Sequence, residues 1–260
     1  MKKKQKFKID LDELFEKLPK APIVEAVIHW RAQPSQKLIP ATFLNQIRER
    51  LPDYPIVQPQ HELEINHQVG PSGATLSQSH AWQAFQFASV DQINVAQFGR
   101  NGLVVSRLAP YEHWEPFQEE ALRLWQVYSD LAAPPEVQRL GVRYINLLPI
   151  DSIAQAGKLL ATLPAFPGTF GLTLDQFTHQ TKFEVPGKEY ALNLIQTIQP
   201  APPNAEHRLN LIVDIDVFTT SATVANDESE RNRMLAEMRW IKNKSFFGLF
   251  SKLAIEQFKE

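Results

Sequence analysis

The sequence predicts an α+β fold: antiparallel sheets with amphipathic helices packed on one face. Three observations lead there. Strand-like alternation recurs along the chain, Asn101-Gly102 marks a tight hairpin between two such runs, and other segments switch to helical periodicity. The strand blocks are not separated one by one by helices, as a parallel βαβ chain would require.

Residues 22–32, PIVEAVIHWRA, alternate as a strand, with Val24, Ala26, Ile28 and Trp30 on one side and Glu25, His29 and Arg31 on the other. Pro34 and Pro40 punctuate the linker that follows. Residues 41–51 then read as a helix with Phe43, Leu44, Ile47 and Leu51 on one stripe, ended by Pro52 and Pro55. A strand is expected over 60–68, and a loop over 69–79, where two glycines, a proline and three serines fall together. The β-prone run 81–98 breaks near Ser89–Asp91, and 103–108 is its return strand after the hairpin. Residues 113–132 form the clearest helix, striped by Trp114, Phe117, Ala121, Leu124, Tyr128 and Leu131 and stopped by Pro134-Pro135. Further strands are expected at 137–148, 177–185, 190–198 and 208–219, with a short helix at 152–163 and a Pro/Gly-rich loop after it. Two helices, 228–243 and 246–258, close the chain.

A strand, a polar linker and an amphipathic helix follow one another three times, at 22–51, 103–132 and 208–243. This points to two related strand–helix halves, 21–150 and 151–260, in one compact unit behind a basic, flexible segment 1–20.

Composition narrows the function classes. Of 260 residues 43% are hydrophobic, enough for a sizeable core, and 27 Lys+Arg against 29 Asp+Glu leave a net charge of −2. Such a balance gives no global attraction to nucleic acid or to an anionic membrane. The absence of cysteine excludes disulfides, thiolate metal sites, iron–sulfur clusters and cysteine nucleophiles, and fits a cytoplasmic setting. The basic start is not followed by the apolar stretch of a signal peptide, and no segment reaches the ~20 apolar residues of a membrane span.

PIVEAVIHW near the start, RLGVRYINLLP in the middle and MLAEMRWIKNKSFFGLF near the end resemble a sporadically distributed family of uncharacterised prokaryotic proteins, over nearly the whole chain after residue 20. The resemblance implies no activity and carries no catalytic residue. A patchy distribution of that kind implies an association with mobile elements or defence.

Several constellations deserve weighing for chemistry. Asp214 and Asp216 stand two apart in LIVDIDVF, so their carboxylates share a strand face and could hold Mg²⁺ or Mn²⁺ for phosphoryl transfer, with Glu184 as a third ligand. Leu211, Val213, Ile215 and Val217 alternate against them, which is equally what a half-buried strand with a polar face requires. Glu62 and Glu64 repeat the geometry with Asn66, while His61 and His67 fall on the opposite face. Arg139 and Arg143 flank Gly141, leaving room for a planar anion between two guanidiniums; the economical alternative pairs them with the acidic strands. Phe85 and Phe87 share a face that could clasp an apolar ligand or fill a core. His29 lies too far from Glu25 along an extended chain for the two to touch.

No G-x-S-x-G elbow, phosphate loop or G-x-G-x-x-G is present. The leading expectation is therefore a non-enzymatic binding protein with no cofactor, using Arg139, Arg143, Phe85 and Phe87 towards a protein partner or a second copy. A metal-dependent phosphoesterase or nuclease and a small-ligand sensor are the competing readings. Replacing both arginines by Ala is expected to weaken capture of a partner and spare folding.

Overall fold

The computed structural model describes residues 7–70, 73–164, 171, 173–224 and 227–259. Along the chain they form β1 (Ile23–Arg31), α1 (Pro40–Arg50), β2 (Ile56–Gly70), β3 (Gly73–Ala88), β4 (Asn94–Gly99), β5 (Gly102–Leu108) and α2 (Trp114–Ala132). There follow β6 (Glu136–Val137), β7 (Arg139–Ile150), α3 (Ile153–Leu159), β8 (Phe177–Glu184), β9 (Tyr190–Pro200), β10 (Leu209–Thr219), β11 (Thr223–Val224), α4 (Glu228–Leu249) and α5 (Lys252–Gln257). The fold is α+β, as the alternation and helical stripes predict.

Nine strands form one sheet in the order β2-β3-β4-β5-β1-β7-β10-β9-β8, and every pairing is antiparallel. The order is close to a palindrome. β3-β4-β5-β1 on one side is mirrored by β8-β9-β10-β7 on the other, about the β1–β7 seam, and β2 is an extra strand. In chain order the two sets match too: β1, α1, β3, β4, β5, α2 against β7, α3, β8, β9, β10, α4.

Register explains how the helices come to share one face. Ile28 lies opposite Val105 and Val142, Trp30 opposite Leu103 and Leu140, and Val142 opposite Val217. Directly opposed residues in antiparallel strands point the same way. These residues make one apolar face, which packs with Phe43 and Ile47 of α1, Phe117, Leu124 and Tyr128 of α2, and Met234, Met238 and Ile241 of α4. A second cluster joins Leu148, Leu211, Val213 and Ile215 to Phe246, Phe250, Ala254 and Phe258. Burying a large apolar side chain contributes roughly 1.5–3 kcal/mol, so these two clusters supply most of the driving force.

The structure departs from the sequence reading in several places. The two strand–helix sets divide between α2 and β7, not at residue 150, because β7 is the counterpart of β1. Residues 73–79 belong to β3, paired with β2 as far as Gly73–Gly70, so the glycines and serines there do not make a loop; 71–72 lie outside the described residues. The two closing helices are one helix up to Leu249, and the break comes where Ser251 caps α5 by accepting from the Ala254 N–H. Residues 7–20 are docked. Phe7 meets Trp240 edge-on at 5.8 Å, Phe15 stacks on Phe247 at 5.6 Å, and Glu13 accepts from the Trp240 indole at 2.9 Å. Apolar anchors spaced through a charged segment hold it down where net charge alone suggests a frayed tail. Among the described residues no helix is long and apolar enough to cross a membrane.

Candidate functional site

The opposite face of the sheet carries no described helix, and alternation sends the polar strand positions there. Pairing aligns them in rows: His29–Gly141–Phe218, then Val27–Arg143–Asp216–Asn193, then Glu25–Ile145–Asp214–Ile195. Four half-buried aliphatic residues, Ile145, Leu147, Ile195 and Ile212, surround Asp214.

The arginines and aspartates meet. Arg143 Nε donates to both oxygens of Asp214 at 2.9 and 3.1 Å, and its Nη2 donates to Oδ2 at 2.6 Å. Arg139 Nη2 donates to Asp216 Oδ2 at 2.7 Å, with its guanidinium 4.0 Å from the centre of the Phe218 ring. The hydrogen bonds it donates to Asp214 raise the pKa of Arg143 above its ordinary value. Burial raises that of Asp216 against the opposing pull of Arg139, and its Oδ1 is buried without a partner.

Gly141 does leave a space, but it is not free for an anion. The imidazole of His29, its cross-strand neighbour, lies over it, and a Cβ built on Gly141 would collide with the ring. Burial first, then Arg139, Arg143 and Arg31, push the His29 pKa down to about 3, so the ring is neutral at pH 7. Its Nε2 is buried without a partner.

The other candidates fall elsewhere. Glu184 is exposed on β8 opposite Ala191, two strands from β10 and in the row of Phe218, so it does not join Asp214 and Asp216. Those two carboxylates are engaged by guanidiniums, and among the described residues no group of three His, Asp or Glu is placed to hold a metal. Phe85 and Phe87 are 6% and 0% exposed on the helix-covered face, where Phe85 packs on Trp82 and Phe87 meets Phe98 edge-on. Both rings belong to the core. His61 and Glu62 are exposed; the side chains of Glu64, Asn66 and His67 lie outside the described residues.

Two features escape the sequence reading. One is the seat of His29 on Gly141, which needs the β1–β7 register. The other is Lys242, buried in α4 with its Nζ 3.8 Å from the centre of the Tyr144 ring. Its signal is present in the sequence: Met234, Met238 and Lys242 follow at intervals of four, so an ionisable residue interrupts an apolar stripe. A separate groove of about 440 Å³ lies between Tyr54, Arg107 and the start of α2. Its Asp53 and Glu120 are already bound by Arg123.

No protein-family model matches the chain, and no curated protein does.

The pairing alters the outcome expected for the arginines. Arg143→Leu leaves Asp214, 6% exposed, without its charge partner. Breaking a fully buried pair costs about 3–5 kcal/mol. The Arg143 side chain is 42% exposed, so solvent screening brings the expected loss to about 1–2 kcal/mol. Adding Asp214→Asn should recover most of it. Urea denaturation of the two variants and the wild type checks this; equal midpoints for all three would mean the pair contributes nothing.

Proposed function

We propose that the protein is a non-enzymatic binding protein that takes a protein partner on its helix-free sheet face. One observation carries the reading: the charges at the centre of that face are matched within the chain, Arg143 to Asp214 and Arg139 to Asp216, beside partly exposed isoleucines. A surface whose charges are already paired does not favour a polyanion. It suits a partner that brings apolar contact and a few oriented polar groups. Carboxylates held by guanidiniums also have little capacity left for a metal, which weighs against the phosphoesterase reading.

The test is capture and chemical crosslinking in native lysate, comparing wild type with Ile195→Lys. Ile195 is partly exposed and lies opposite Asp214, so a lysine there should spare folding, and a melting curve verifies that. The expected result is a defined partner lost in the variant. A partner retained equally by the variant, or none with either protein, would sink the proposal. Calorimetric titration with Mn²⁺ is expected to show no binding; binding abolished by Asp214→Asn would put the metal-dependent reading in its place.

A further inference from the structure

The two edges of the nine-stranded sheet are built differently. β2 contains Pro59, which has no N–H to offer, and its register against β3 breaks between Gln60 and His61. Both features discourage an edge from recruiting another strand. β8 has neither. Its eight residues run in unbroken register with β9, six of them are exposed, and no described strand lies beyond it. Phe183 stands 46% exposed there. The one lysine, Lys182, is turned over the Phe218 ring at 5.8 Å.

We propose that β8 pairs antiparallel with β8 of a second copy, about a two-fold axis normal to the sheet, joining two nine-stranded sheets into one. The proposal does not rest on the reading of the helix-free face and holds whether or not that face takes a partner. The register follows from symmetry. Such an axis keeps each side chain on its own face, so a residue can oppose only one of the same parity. Centring the pair on Gln180 or on Thr181 gives the fullest overlap of the strand. The Gln180 register sets Phe183 against Phe177 of the second copy, twice, whereas the Thr181 register sets it against His179. Aromatic cross-strand pairs are the more favourable, and in the Gln180 register Lys182 meets Thr178 and Glu184 meets Gln176, so no like charges face each other. Main-chain hydrogen bonds supply the affinity, as in other strand additions. An eight-residue edge buries less than the roughly 800 Å² per partner of a standard interface, so dissociation constants on the order of micromolar are expected.

The chain has no cysteine, so a single introduced thiol is the only one available. Gln180→Cys places two thiols in directly opposed positions, within the reach of a disulfide. Glu184→Cys places them eight residues apart along the pair, about 26 Å at 3.3 Å per residue. Both positions are exposed, and melting curves verify folding. Mild oxidation of the full chain should give a covalent dimer with Gln180→Cys and none with Glu184→Cys. Light scattering should show a concentration-dependent dimer in wild type, weakened tenfold or more by Phe183→Glu. A wild type monomeric up to hundreds of micromolar, a dimer indifferent to Phe183→Glu, or equal crosslinking at both positions would overturn the proposal.

Discussion

Replacing Lys242 by Met is expected to stabilise the protein at pH 7 by about 1–3 kcal/mol. The lysine is 8% exposed in α4, one turn from Met238 and from Phe246. Burial, with Arg239 second, pushes its pKa from 10.5 down to about 7. Its contact with the Tyr144 ring at 3.8 Å contributes ~2 kcal/mol at most, which does not offset the loss of hydration. The sign is fixed by linkage. Between about pH 7 and 10.5 the unfolded chain binds the proton that the folded chain has released, so wild-type stability rises with pH across that window. The variant should lose that slope. Tyr144 and Tyr111 hardly interfere up to pH 9.5, because in the unfolded chain they ionise only around their ordinary value of 10 and burial raises both further in the folded one, Tyr111 to about 12. Urea denaturation at pH 7 and 9.5 measures both effects. A variant less stable than wild type at pH 7 would mean that the lysine is a net asset where it lies.

The second large effect is expected from Gly141→Ala. One added carbon enters the space of the His29 ring, and overpacking of this kind costs about 1–3 kcal/mol. Arg139 and Arg143 stand on either side of Gly141 along β7, so the imidazole has little freedom to slide. His29→Ala in the same background should restore most of the loss, giving a coupling energy of about 1 kcal/mol or more in a double-mutant cycle. Additive losses would show that the ring moves aside at no cost. His29 also has a pH signature. Its folded pKa of about 3 lies below the ordinary 6.5, so stability held at neutral pH is lost as pH falls from 6.5 towards 3. The stretch from 6.5 to 5 is the diagnostic part, since carboxylates begin to protonate below it. His29→Ala should lose most of the slope there.

Much of this architecture was legible in the sequence. Alternation in PIVEAVIHW and LIVDIDVF separates core from open face correctly, because period two is a property of the extended chain itself. The same pattern correctly offers Arg139 and Arg143 as partners for an acidic strand. What alternation leaves open is which strand lies beside which. β1 and β7 are more than a hundred residues apart, so nothing local places His29 on Gly141. Glu184 fails as a companion of Asp214 for the same reason, since β9 stands between their strands. Phe85 and Phe87 show a further limit: an aromatic pair on one strand face reads alike whether helices cover it or solvent does. The serine- and glycine-rich stretch after residue 69 shows how extended pairing overrides weak strand propensity.

Helix α4 runs for 22 residues, about 33 Å at 1.5 Å per residue. Its first half supplies Met234, Leu235, Met238 and Ile241 to one apolar cluster, and Phe246 near its end belongs to the other. β7 and β10 are shared in the same way, Val142 and Val217 on one side and Leu148 and Leu211 on the other. Neither cluster can therefore melt without stripping a helix and two central strands from its neighbour. Two bodies of core so coupled should unfold together, and calorimetry is expected to show a single heat-absorption peak with equal calorimetric and van't Hoff enthalpies.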